Sequence, residues 1–108
     1  MRLRFPIEMR KRIVKNFLDL LILKELRNHS SMSGYEIIIL FRNKFRVVLS
    51  PGVVYSMLYS MERENLVQED IRKGKRTFKL TKMGEEEIQG ILGNLDKVHH
   101  LVDCTLGK

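Results

Sequence analysis

Cysteine and histidine are few in this 108-residue chain, and acidic residues are outnumbered by basic ones. The single cysteine, Cys104, excludes an internal disulfide framework. Histidine occurs only at 29, 99 and 100, and there is neither a glycine-rich phosphate loop nor a paired-carboxylate arrangement. The residue sets that acid–base or phosphate chemistry needs are missing, so the chain reads as a non-enzyme without a cofactor. No long hydrophobic run occurs either. The most apolar stretch, FLDLLILKEL at 17–26, is interrupted by Asp19 and Lys24 and falls short of the roughly 20 residues that a bilayer span requires. No signal peptide is visible, and the expected location is the cytoplasm. Acidic side chains number 13 against 20 basic ones, a net charge of +7. That excess favours nucleic acid or an anionic membrane surface as partner.

What is present is a folding sequence. At 44% hydrophobic and 31% charged residues, the chain should form one domain with a modest core. Pro6 suits the first turn of a helix, and Ile13, Val14, Phe17, Leu20 and Leu21 then recur at helical spacing, which predicts a helix from about residue 7 to residue 27. It should be buried between Phe17 and Leu23, where it is apolar nearly all round. Residues 1–12 read as a basic arm or helix extension. Ser33-Gly34-Tyr35-Glu36 is a capping box that opens a second helix through Ile37, Ile38, Phe41 and Phe45. Ser50-Pro51 starts a third, with Val54, Leu58 and Met61 on its buried face and Asn65 at its end.

Two short strands follow, near Leu66–Ile71 and Arg76–Leu80, joined by Lys73-Gly74-Lys75 as a tight turn. Thr81 then caps a last helix, in which Ile88, Ile91, Leu95, Val98 and Val102 fall at heptad spacing. Gly90 and Gly93 lie in that helix, each costing roughly 1 kcal/mol relative to alanine. A seam that keeps its pattern despite them implies a partner to pack against. Three helices and then a basic hairpin is the layout of a winged helix-turn-helix, mostly α with a small β wing. The expected division is a winged-helix domain over 13–81 and a dimerisation helix over 82–106. In such a fold the third helix, here 51–65, enters the major groove, and the wing lies on the backbone or in the minor groove.

Four segments carry a resemblance. Ser33-Gly34-Tyr35-Glu36-Ile37, Ser50-Pro51-Gly52-Val53-Val54-Tyr55-Ser56-Met57-Leu58, Met61-Glu62-Arg63-Glu64-Asn65-Leu66-Val67 and Phe78-Lys79-Leu80-Thr81-Lys82-Met83-Gly84 stand in the order and spacing of motifs in PadR-like transcriptional regulators. The chain resembles that family from about Phe17 to about Val98. The resemblance implies a homodimeric winged-helix DNA-binding regulator, most often a repressor, whose dimer is built from the first and last helices. Val53, Ser56 and Asn65 replace the family's usual threonine, proline and glycine; the first two lie on the face expected to meet bases, so the operator of relatives does not carry over.

The expected DNA-binding residues are Tyr35, Ser50, Gly52, Val53, Ser56, Met57, Ser60, Arg72, Lys73, Gly74, Lys75 and Arg76. The helix-three face is not basic. Val53 and Met57 suit thymine methyl groups, and Ser56 and Ser60 suit base edges or phosphate. The wing cations suit phosphates, which dominate protein–DNA affinity. Tyr35 either contacts phosphate through its hydroxyl or packs between helices, and Tyr55 reads as structural. The expected dimer residues are Ile13, Phe17, Ile88, Ile91, Leu95, Val98 and Val102. His99, His100, Asp103 and Cys104 have bidentate metal spacing on one helix, but no second ligand cluster supports a site, so no metal is expected. The alternatives are a winged-helix module binding an acidic partner protein and a metal-responsive regulator using those four residues.

Overall fold

The computed structural model describes residues 4–72 and 74–105. The chain runs α1 (Arg4–Asn16), α2 (Leu18–His29), β1 (Ser31–Met32), α3 (Gly34–Phe45), α4 (Pro51–Arg63), β2 (Val67–Arg72), β3 (Lys75–Leu80), α5 (Lys82–Leu92) and α6 (Leu95–Thr105). The three strands form one antiparallel sheet in the order β1-β3-β2.

The predicted first helix is two helices with a bend at Phe17. The hydrogen-bonded ladder continues across the bend, from Phe17 N to the Ile13 carbonyl and from Leu21 N to the Phe17 carbonyl. Phe17 itself leaves helical geometry, with φ −115° and ψ 26°. Its ring is 45% exposed, so the expectation of burial fails there. Val14 on α1 is buried, and burial resumes after the bend at Leu18 and continues through Ile22, Leu23 and Leu26 on the inner stripe of α2.

β1 has no counterpart in the sequence reading. Ser31 pairs with Lys79, and Met32 with Phe78. Two residues are too few to show an alternation, so only the presence of β3 reveals them as strand.

The capping box forms as expected: Glu36 N donates to Ser33 Oγ at 3.1 Å, and Ser33 N donates to Glu36 Oε1 at 2.8 Å. Ser50 Oγ accepts from Val53 N at 3.2 Å and starts α4 at Pro51. Asn65 closes α4 with φ 64°. Val54, Leu58 and Met61 face a core that also holds Ile37, Phe41, Val67 and Phe78. A side chain at Gly34 would collide with the Tyr55 ring, which fixes how closely α3 approaches α4.

The hairpin register sets Arg72 opposite Lys75 and Glu69 opposite Phe78. Gly74 turns it with φ 77°, in the left-handed region that favours glycine. Thr81 Oγ1 accepts from Gly84 N at 3.0 Å and donates to the Asn65 carbonyl at 2.6 Å, so one hydroxyl caps α5 and ties it to the end of α4.

The predicted last helix is also divided. α5 stops at Leu92 and α6 starts at Leu95, with Gly93-Asn94 between. Gly93 has poor helix propensity, and Asn94 Nδ2 donates to the Gly90 carbonyl at 2.7 Å, a side-chain bond that competes with the backbone ladder. The two segments differ in environment. Ile88 on α5 is 2% exposed and belongs to the core, so it does not lie on a seam offered to a second copy. Arg27 Nε lies 2.9 Å from Glu85 Oε1 and binds α2 to α5. The described side chains of α6 are all exposed.

Candidate nucleic-acid interface

α4 is positioned by its buried stripe, and its opposite face points outward. Gly52, Val53, Ser56, Met57 and Ser60 line one shallow depression along that face. Five residues expected to meet DNA are thus brought together, and none carries a charge. Val53 is 50% exposed, while Met57 and Ser60 are partly buried. Ser50 sits at the head of the same helix with its hydroxyl engaged as the cap.

A second hollow adjoins the first. Lys15, Leu18, Val48, Leu49, Ser50 and Val53 line it, so the end of α1 meets the head of α4. The sequence reading placed the N-terminal cations in an arm and named neither Lys15 nor Val48 as a site residue. Val48 is 77% exposed in the link between α3 and α4. Its exposure is set by tertiary packing, so the sequence carried no signal for it.

The wing differs from the bare cationic tip that composition suggests. Arg72 Nε lies 2.7 Å from Asp70 Oδ2, Lys75 Nζ 3.3 Å from Glu36 Oε2, and Arg76 Nε 3.3 Å from Glu69 Oε2. Each described cation of the tip therefore has a carboxylate beside it. Lys73 lies outside the described residues. The Arg72–Asp70 and Lys75–Glu36 pairs are the more exposed, and exposed pairs contribute only about 0–1 kcal/mol each, so phosphate can replace those two carboxylates at little cost, whereas Glu69 beside Arg76 is 22% exposed.

Tyr59 was assigned no site role from sequence, yet its hydroxyl accepts from Arg76 Nη1 at 2.8 Å and donates to Glu69 Oε2 at 3.2 Å. The Tyr59 hydrogen bond, ahead of the Glu69 charge, pushes the Arg76 pKa further above its ordinary value. The guanidinium is a permanent cation there. Tyr55 and Tyr59 both meet Phe78, with ring centroids 6.4 and 5.7 Å away and steeply inclined planes, which packs α4 onto β3. Tyr55 is structural, as expected. Tyr35 is 67% exposed on the first turn of α3, so packing between helices is not its role. The neighbouring Glu36 has its pKa lowered, first by the Ser33 backbone N–H and then by Lys75.

His99 and Asp103 form one pair at 3.8 Å, and His100 and Cys104 another at 3.5 Å. Among the described residues, no three His, Cys, Asp or Glu side chains converge on one point. No described helix is long and apolar enough to cross a membrane.

A capped helix with an open outer face, flanked by a basic hairpin on a three-helix core, defines a winged-helix protein. Solved structures share this fold. A PadR family transcriptional regulator from Eggerthella lenta superposes with a TM-score of 0.76 at 15% identity, over 94% of this chain and 91% of that one. A PadR family transcription regulator from Clostridium difficile gives 0.73 at 23% identity, over 84% and 99%. A winged-helix DNA-binding protein from STIV gives 0.63 at 19% identity, over 79% and 91%. No curated protein matches the sequence significantly. The model of the transcriptional regulator PadR-like family matches residues 22–90, and the chain belongs to that family. It is a DNA-binding transcriptional regulator by that membership.

Proposed function

We propose that the protein is a homodimeric repressor that sets α4 in the major groove and the wing on the adjacent backbone or minor groove. The observation that carries this reading is the arrangement of the open α4 face with the wing beside it. Gly52, Val53, Ser56, Met57 and Ser60 would read base edges and methyl groups. Tyr35, Ser50, Arg72, Lys73, Gly74, Lys75 and Arg76 would hold the phosphates, with Lys15 added at the head of α4.

Exposed apolar side chains on α1 and α6 support the dimer. Ile7 is 44%, Ile13 48%, Phe17 45%, Leu95 53% and Leu101 66% exposed. The radius of gyration is 15.1 Å, against about 13 Å for a compact domain of this length. In this reading α1 and α6 form the dimerisation part, with Val98, Val102 and, at the end of α5, Ile91 also on the seam, while the rest of α5 belongs to the DNA-binding part. Two copies would span half-sites about 34–36 Å apart.

Mobility shifts with duplex DNA at two salt concentrations test the DNA contacts. Replacing Arg72, Lys75 and Arg76 with alanine should weaken binding on every sequence. The salt slope should fall by roughly 1 for each phosphate that is no longer neutralised. Unchanged affinity and slope would show that the wing does not touch DNA. Binding to an acidic protein with no duplex binding would replace this reading with that of an interaction module. Expression from the bound promoter should rise when the protein is removed; a fall would reverse the sign of regulation.

A further inference from the structure

Arg76 differs from the other wing cations in what holds it. Arg72 pairs with Asp70 on its own strand ladder, so that pair moves with the hairpin tip. Arg76 is bound across elements. It lies two residues before the buried Phe78 on β3, on the side that faces α4. Its Nη1 donates to Tyr59 on α4, its Nε lies beside Glu69 on β2, and Tyr59 donates to the same Glu69 oxygen. The three side chains close a ring.

Each partner in the ring is itself fixed. The Tyr59 ring meets Phe78 edge-on and lies 6.3 Å from Tyr55. Glu69 is 22% exposed, and its backbone N–H donates to Glu62 Oε2 on α4 at 3.1 Å. The guanidinium is therefore held through Nη1 to α4, although its own residue belongs to the wing. Among the described residues its Nη2 makes no hydrogen bond, and the side chain is 57% exposed. A guanidinium anchored through Nη1, with Nη2 still without a partner, can donate from Nη2 to a phosphate oxygen while it stays bound to Tyr59.

We propose that Tyr59 and Glu69 are positioning residues. They hold Arg76 as a pre-set phosphate donor whose location is defined by α4, so that backbone contact by the wing and base contact by the helix occur in one register. This rests on the DNA-binding reading above. Order before binding removes the cost of immobilising a long side chain at the interface. Lysine at this position would keep the charge but lose the planar guanidinium.

The test uses the full chain, a duplex selected for binding, and fluorescence anisotropy at several salt concentrations. Tyr59→Phe keeps the ring and its packing but removes the hydroxyl. It should bind roughly 3- to 10-fold more weakly with an unchanged melting temperature. Its salt slope should stay unchanged, because the number of neutralised phosphates is the same. Arg76→Ala should lower the slope by about 0.9. Arg76→Lys should keep the slope and lose affinity as Tyr59→Phe does. In an Arg76→Ala background, Tyr59→Phe should cost nothing more. Wild-type affinity in Tyr59→Phe, or a loss that persists without Arg76, would overturn the positioning role and leave DNA binding standing. A wild-type chain that binds no duplex would overturn both.

Discussion

The Lys44 ammonium donates to Glu25 Oε2 at 2.7 Å, and the Glu25 side chain is only 1% exposed. This pair joins α2 to α3. Lys44 is half-exposed, so the charge reaches water through its partner. The second carboxylate oxygen is buried without a hydrogen-bond partner among the described residues, and His29 Nδ1 stands 3.7 Å away. Removing one partner of a buried pair costs more than replacing the pair. Lys44→Ala should therefore destabilise by about 3 kcal/mol, at the low end for an orphaned buried charge because water can enter where Lys44 was. Adding Glu25→Leu should restore most of that loss in urea unfolding.

Two glycines of one helix should respond to alanine with opposite signs. A Cβ at Gly84 would collide with the Leu66 carbonyl, which is backbone and cannot swing aside. A Cβ at Gly90 meets nothing within 4 Å. Gly84→Ala should destabilise by about 1–3 kcal/mol, as overpacking does. Gly90→Ala should stabilise by roughly 1 kcal/mol through helix propensity. Thermal melts of the two variants read the difference.

The capping box has a pH signature. The folded pKa of Glu36 lies below its ordinary value near 4.5. A depressed carboxylate contributes stability that is present above the ordinary pKa and is lost as pH falls through the folded value. Below about pH 4.5, wild type should lose stability faster than Glu36→Gln. The side chain is 45% exposed, so the difference should stay under about 1 kcal/mol. Chemical denaturation at stepped acid pH measures it.

The dimer proposal separates two kinds of apolar substitution. Phe17→Ser and Leu95→Ser change exposed positions and should shift the chain from dimer to monomer in size-exclusion chromatography with light scattering. Ile88→Ala opens the core and should cost about 2–5 kcal/mol in unfolding free energy. A monomeric wild type at micromolar concentration would refute the proposal.

Much of the fold was legible because its signals are local. A capping box needs only Ser33 and Glu36, three residues apart. A serine before Pro51, an asparagine at 65 and a glycine at 74 each mark a point where the backbone must turn. The open face of α4 was legible too, since Val54, Leu58 and Met61 defined the opposite stripe. The charge environment of the wing was not. Asp70 is near Arg72 in sequence, but Glu36 and Lys75 are far apart, and Arg76 meets Tyr59 only when α4 packs on β3.

The two helix breaks show the same limit. Heptad spacing from Ile88 to Val102 describes a continuous seam, and nothing in that spacing tells Ile88 from Leu95. Packing against α2 and the sheet buries the first, while the Asn94 bond to Gly90 turns the chain before the second. Sequence determined the helix–helix–helix–hairpin–helix order, the caps and the positive net charge, because these depend on neighbours within a turn or two, but not β1 or the two helix breaks. Tertiary structure decided which apolar residues remain exposed, which carboxylates sit beside the wing cations, and that Arg76 is tied to α4. Those outcomes depend on side chains brought together from distant parts of the chain.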